Sequence, residues 1–306
     1  MSNADTKIKH KLTRHKLADY GWIYGMIAPT IIGLIVLNIW PMFQTIYLSF
    51  TKSSGFGDEK WVGVKNYVRL FSDPEIWTAT ANTFIYALIV VPIGTALSLL
   101  VAVLLNANIK GKTLYRTLYF LPVIAVPSAV AMVWRWLYNT DFGIINYSLS
   151  KMGIKGPDWL ADPHYILASI ILVGIWTCIG YNMVILLAGL QDIPKTYYEA
   201  AEIDGANAAN KFFHITMPLI SPTMFFVIVT SVISSLQVFD FIFMMVPAQN
   251  PSIGNVQSLV YLFYKYTFVT YNRGYGSAIV TFLLVITFIL TIIELKLQKK
   301  WVVYAD

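Results

Sequence analysis

Six apolar blocks, residues 22–48, 82–106, 117–134, 165–190, 217–245 and 274–293, leave this chain few ways to fold. An α-helix rises 1.5 Å per residue, so about 20 uncharged residues cover the hydrocarbon of a bilayer with every backbone group paired inside the helix. Each block reads as one crossing, and the fold class is all-α integral membrane with six transmembrane helices. Composition agrees, because 57% of the residues are hydrophobic, 12% are charged and mean hydropathy is +0.62, well outside the range of a soluble domain. The stretch 246–264 is also uncharged, but Pro247, Gln249, Asn250, Pro251, Asn255 and Gln257 would leave polar groups unsatisfied in lipid, so it reads as a loop.

A basic tail, residues 1–21 with Lys7, Lys9, Lys11, Arg14 and Lys16, precedes the first block. The block is too long for the apolar region of a signal peptide, and Trp40-Pro41 stands where cleavage needs small residues, so a retained helix is expected. Six crossings put both termini on one side. Thirteen of the 22 Lys and Arg fall in the two tails and in the segments near 110–116 and 191–215, which marks that side as cytoplasmic. The expected division is a cytoplasmic tail 1–21, a six-span domain 22–295 and a cytoplasmic tail 296–306. Juxtamembrane lysines account for the net charge of +6 without nucleic acid. The one cysteine, Cys178, excludes an internal disulfide and reads as a small buried apolar residue.

The most polar segment on the inner face is 191–222, QDIPKTYYEAAEIDGANAANKFFHITMPLISP, and it carries helix signals. Asp192 suits a cap and Pro194 a first turn, while Tyr197, Ala200, Ala201 and Asp204 recur on one face. Gly205 permits a left-handed turn and Asn207 can cap a second helix toward Pro218. Adjacent alanines let a partner approach closely, and Glu199, Glu202 and Asp204 offer charge to a basic rim. On pattern alone, a docking helix and an ordinary amphipathic loop both fit.

Chemistry of the catalytic kind is missing. Gly111-Lys112-Thr113 lacks the earlier glycine of a P-loop, since position 106 is asparagine, and no strand precedes it. The four histidines, at 10, 15, 164 and 214, form no metal-ligand pattern. Asp240 is the only acidic residue inside an apolar block, near the outer end of its helix, and reads as an interfacial aspartate or a polar wall of a pathway. Gln237, Ser231, Ser234 and Ser235 share that helix, where serines also serve close packing. On the fourth block Trp176, Tyr181 and Asn182 cluster near mid-span, and aromatic faces with an amide suit a sugar's C–H face and hydroxyl rim.

Glu199-Ala200-Ala201, Asp204-Gly205-Ala206, Phe212, Ile215 and Pro218 resemble the EAA loop of ABC importer membrane subunits, with Met217 where leucine is usual. The resemblance extends through Tyr47-Leu-Ser-Phe-Thr51, Val62-Gly-Val-Lys-Asn-Tyr67, Tyr115-Arg-Thr-Leu-Tyr-Phe-Leu-Pro122, Trp134-Arg-Trp136 with Asp141-Phe-Gly143, and Leu236-Gln-Val-Phe-Asp240. It looks like the sugar-transport branch that includes the larger membrane subunit of maltose importers, in the compact six-helix form without that subunit's extra N-terminal helices and large insertion.

The resemblance implies a type I ABC importer permease fold in a bacterial plasma membrane, with residues 191–218 as the coupling loop. Glu199, Ala200, Ala201, Asp204, Gly205, Ala206 and Pro218 would then meet an ATP-binding subunit. It also implies a second homologous permease subunit, two ATP-binding subunits that hold the ATP and Mg, and an extracytoplasmic solute-binding protein. This chain would bind no cofactor and hydrolyse no ATP. Its match to the sugar-lining region of the maltose subunit falls at Trp176, Tyr181 and Phe239, which with Asn182, Gln237 and Asp240 form the expected substrate pathway. Monosaccharides, oligosaccharides and glycerol-phosphate-like solutes all fit the branch. An ion-coupled secondary transporter is the alternative, although neither an internal repeat nor a mid-membrane ion site is visible.

Overall fold

The computed structural model describes residues 14–53, 59–107 and 110–303. Most of the expected basic tail therefore lies outside the described residues. Helix α1 (Arg14–Leu34) passes through a wide π turn at 35–39 into α2 (Trp40–Ser49), giving one continuous span. None of the residues from Trp22 to Leu48 is buried, and only the α2 end of the span packs on the rest of the chain, against α14, so most of its surface faces lipid or another subunit. A two-residue antiparallel pairing of Thr51–Lys52 with Lys60–Trp61 and the short α3 (Lys65–Ser72) follow. Asn66 ties them down, donating to the carbonyls of Ser49 and Thr51 at 2.8 Å each, and the Tyr67 hydroxyl meets Ser49 Oγ at 2.6 Å.

Helix α4 (Pro74–Asn106) opens with proline at its first position, where no N–H is needed, and Asp73 Oδ1 accepts from the Glu75 N–H at 3.0 Å. The third apolar block is not one straight helix. It forms α5 (Lys112–Ile124) and α6 (Pro127–Leu137), bent by 100°. Pro127 removes a donor and forces Val126 into extended backbone, so the helix must stop there. Helix α7 (Ile144–Lys151) and α8 (Ile166–Gln191) follow, then the short α9 (Lys195–Ile203) and α10 (Ala208–Lys211), which leads through a π turn into α11 (Met217–Leu236).

The fifth block is also broken, contrary to the expectation of an unbroken crossing to 245. Gln237–Phe239 leave the helix, and α12 (Asp240–Met245) starts afresh. The expected loop 246–264 is irregular only to Ser258, because α13 (Leu259–Tyr264) is helical. Polar side chains hold its irregular part, Asn250 among those that argued for a loop and two serines, Ser252 and Ser258, that did not enter that argument. Asn250 Nδ2 donates to the Leu160 carbonyl at 2.7 Å, Ser252 Oγ to that of Ala161, and Ser258 Oγ to that of Val238 at 2.6 Å. Asn82 on α4 donates to the carbonyls of Gly254 and Gln257, both at 3.2 Å. Irregular backbone at the membrane is thus paired with protein rather than lipid. The chain finishes in α14 (Arg273–Trp301), which extends well into the segment expected as a tail.

Contacts along the helices fix their directions. Tyr86 meets Gly174, Gly94 meets Cys178, and Leu99–Leu105 pack with Met183–Leu190, so α4 and α8 run parallel. The chain between them must return to its starting end. The bent pair does this: Tyr119 lies against Gly180, Trp134 against Trp176, and the Tyr138 hydroxyl donates to the Ser169 carbonyl at 3.2 Å. The close pass at Gly180 needs glycine, because a Cβ there would come within 2.2 Å of the Tyr119 carbonyl oxygen. Helix α11 runs antiparallel to α8, with Thr223 at Gly189 and Ser231 at Asn182. Among the described residues, five long apolar helices plus the bent pair, taken as one span, therefore give six crossings. The two bundle ends are termed the hairpin end, holding residues 51–53 and 59–73, and the loop end, holding 192–216.

A polar clasp closes the hairpin end. Lys265 Nζ and the Tyr266 hydroxyl donate to the two Glu75 carboxylate oxygens at 2.7 and 2.8 Å, and the Tyr275 hydroxyl donates to Asp73 Oδ2 at 2.8 Å. The Arg69 guanidinium lies 4.0 Å from the centre of the Tyr275 ring.

Candidate solute cavity and coupling surface

Where α11 breaks, a cavity of about 300 Å³ opens between α4, α8, α11 and α12. Its walls include Tyr86 and Val90 of α4, Thr177, Cys178, Tyr181 and Asn182 of α8, and Thr230, Ser231, Ser234 and Ser235 of α11. Gln237, Val238, Phe239 and Asp240 of the break complete it. The helix break is what places these last side chains: leaving helical backbone at Gln237 swings the chain across the end of the cavity instead of past it.

Five of the six expected pathway residues, Tyr181, Asn182, Gln237, Phe239 and Asp240, are thus brought together. Trp176 is not. Its indole packs edge-to-face on Trp134 with ring centres 5.5 Å apart, on the face of α8 turned to the bent pair. The expected cluster was drawn from sequence neighbours, whereas helical spacing groups Thr177 and Cys178 with Tyr181 and Asn182 one turn on. That spacing was the available signal for Thr177. Cys178, expected as a buried core residue, is half-buried and lines the wall. Tyr86 was missed because it sits alone in an apolar block. The serines, for which close packing was the plainer expectation, line the cavity, and the Ser231 hydroxyl also accepts from Asn182 across the helix contact.

Asn182 is buried and donates from Nδ2 to Ser231 Oγ at 3.1 Å, which fixes both polar groups across the α8–α11 interface. Phe239 stacks on Phe243 with ring centres 5.1 Å apart and planes 19° apart, and lies 5.3 Å from the Tyr264 ring. The site therefore offers hydroxyls, amides and aromatic surface, a set that recognises a polyhydroxylated solute by hydrogen bonds and C–H stacking. Among the described residues no group of His, Cys, Asp and Glu stands ready for a metal.

At the loop end, α9 ends in a double-bonded turn: the Ala206 N–H reaches the Ala201 carbonyl at 2.8 Å and the Gly205 N–H that of Glu202 at 3.1 Å. Gly205 takes φ +75°, as the sequence anticipated, because this turn requires left-handed backbone at that position. Asn207 Oδ1 accepts from the Asn210 N–H at 2.8 Å and caps α10, also as anticipated. Asp192 does not cap the start of α9: it is the C-terminal cap of α8, and Pro194 precedes α9 instead of entering it. Ile193 and Tyr198 pack toward the core around Met183 and Ile220, and the Tyr198 hydroxyl meets Thr216 Oγ1 at 3.0 Å. Outward stand Glu199, Ala200, Asp204 and Gly205, with Ile203 88% exposed, while Ala201, Ala206 and Pro218 are half-buried. Of the three acidic residues, Glu202 is engaged: its hydrogen bond from Lys211 Nζ, at 2.7 Å, holds its carboxyl below the usual range.

Residues 94–303 match the model of a family described as the binding-protein-dependent transport system inner membrane component. The chain belongs to this family. Its members are transport permeases and not catalytic subunits, and the ion-coupled carrier is accordingly not favoured. The permease is 33% identical to the trehalose/maltose transport system permease protein of Thermococcus litoralis, over 96% of this chain and 98% of that one. It is 32% identical to the sn-glycerol-3-phosphate transport system permease protein of Brucella abortus, over 92% and 96%. In fold it is similar to a chain of a bacterial alginate ABC transporter solved in complex with a periplasmic protein that holds an alginate pentasaccharide. That likeness has a TM-score of 0.83 at 21% identity, covering 95% of this permease and 98% of that chain.

Proposed function

We propose that this inner membrane component forms half of the translocation pathway of an ABC importer for a sugar or sugar-like polar solute. The supporting observation is mechanical: the loop 192–216 is strung between the ends of α8 and α11, and α8 lines the solute cavity at mid-span and α11 with its far half. A displacement of α9 is carried along two rigid rods to Tyr181, Asn182 and Ser231 and to the break at Gln237. Glu199, Ala200, Ala201, Asp204, Gly205 and Ala206, with Pro218 at the root of α11, receive an ATP-binding subunit. Small side chains permit close approach there, and Glu199 and Asp204 meet basic groups on the partner. Two such ATP-binding subunits hold ATP and Mg, a second homologous permease completes the membrane pathway, and an extracytoplasmic solute-binding protein delivers the solute at the hairpin end. Both termini, the tails of residues 1–21 and 296–306, face the cytoplasm. The names of the relatives support a sugar or polyol-like solute, and the aromatic and hydroxyl lining suits one.

Uptake measured with ATPase activity stimulated by loaded binding protein tests this reading. Gly205→Val and Ala201→Phe should abolish both while leaving the chain in the membrane, and normal coupled uptake by both variants would refute the docking role.

A further inference from the structure

The cavity wall carries one charged side chain, Asp240, and no Lys, Arg or His. Asp240 stands at the exposed mouth of the cavity in the first turn of α12, without a hydrogen bond or ion pair among the described residues. The cations of neighbouring elements do not offset it. Lys265 is engaged by Glu75 at 2.7 Å, and Arg135 lines a separate cavity with Asp158. The start of α12 contributes a partial positive charge, but a six-residue helix supplies at most about half a unit against the full unit of the carboxylate. The remaining wall is hydroxyl, amide, thiol and aromatic, so the field inside is that of the carboxylate.

We infer that Asp240 makes this cavity selective for uncharged saccharides and against anionic ones such as sugar phosphates, sulfonates and uronates. This rests on the proposed permeation role of the cavity and adds a solute class to it. Relatives in the same family carry names that include both a neutral disaccharide and a phosphate ester, so charge is the property this site has to decide. An anion at the mouth of this cavity meets the repulsion of the carboxylate, which water attenuates but does not cancel at contact distances, and it finds no arginine or lysine on the wall to replace its lost hydration. A neutral sugar meets donors and acceptors only, and the Asp240 carboxylate accepts from its hydroxyls.

The test reads the charge preference directly, in the complete importer reconstituted with its partner subunits. In a Cys178→Ser background, Ser234→Cys places a reporter thiol on the wall, and its reaction rates with a trimethylammonium and a sulfonate methanethiosulfonate are compared, each normalised to a free thiol. The cationic reagent should react at least about tenfold faster. Asp240→Asn should bring the two rates to within about twofold, and Asp240→Lys should reverse the preference. Equal rates with Asp240 intact, or a preference for the sulfonate, would overturn the inference while leaving the permeation reading standing. A thiol that no reagent reaches in any nucleotide state, the neutral methyl reagent included, would overturn both.

Discussion

Asn182 and Tyr181 are neighbours in sequence with different tasks. Asn182 is buried and bonded to Ser231, so Asn182→Leu leaves that hydroxyl unpaired and should destabilise the α8–α11 contact by about 1–3 kcal/mol, read as a lower melting temperature of the purified complex. Tyr181 is half exposed to the cavity and makes no such bond, so Tyr181→Ala should spare stability and lower transport by roughly several-fold to tens-fold, the cost of one or two lost solute contacts. Trp176→Phe supplies the contrast: it keeps the packing on Trp134, lies off the cavity and should leave transport within about twofold. Equal losses in Tyr181→Ala and Trp176→Phe would place the pathway on the other face of α8. Their polar chemistry in an apolar block singled out Tyr181 and Asn182 in the sequence, and both lie on the cavity wall. Trp176 falls outside the cavity because it stands five residues before Tyr181, about 140° around the helix, which closeness along the chain does not reveal.

At the scale of elements, the sequence shows breaks where chemistry forces them and hides them where tertiary bonds make them. Pro122 and Pro127 mark the bent pair, and the double-bonded turn at Gly205 needs no more than the local residues. The break after Leu236 has neither proline nor glycine, and Val238 leaves the helix because Ser258, 20 residues away, supplies the donor for its carbonyl. No local pattern announces such a partner. Ser258 also accepts from the Tyr261 N–H at 3.1 Å, so its hydroxyl joins the end of α11 to the start of α13. Ser258→Ala should therefore loosen the cavity rim, raising hydrogen exchange in 237–245 and lowering transport without loss of membrane insertion. Ser258→Thr, which keeps the hydroxyl, should restore transport at least in part. Unchanged exchange in Ser258→Ala would mean that Phe239 and its aromatic neighbours hold the break by themselves.

For the whole molecule, direction follows from contacts but sidedness follows from charge. Parallel α4 and α8, the returning bent pair and antiparallel α11 require an even number of crossings, so the start of the first span and the end of α14 lie at one end of the bundle. Nothing in helix packing distinguishes cytoplasm from exterior, because apolar helices pack equally well in either orientation. The proposed sidedness rests on charge: 13 of the 22 Lys and Arg fall in the two terminal segments and in those near 110–116 and 191–215, and juxtamembrane cations are retained on the cytoplasmic side. Cysteines introduced one at a time in a Cys178→Ser background read this directly. Lys60→Cys and Lys155→Cys, at the hairpin end, should react in intact cells with an impermeant maleimide. Lys110→Cys and Asn207→Cys, at the loop end, should react only after permeabilisation. All four positions are exposed in the chain, and reaction of Lys110→Cys and Asn207→Cys after permeabilisation separates the membrane barrier from cover by a partner subunit. The reverse pattern would place α9 outside the cell, where no ATP-binding subunit reaches it, and the proposed coupling would fall with the topology.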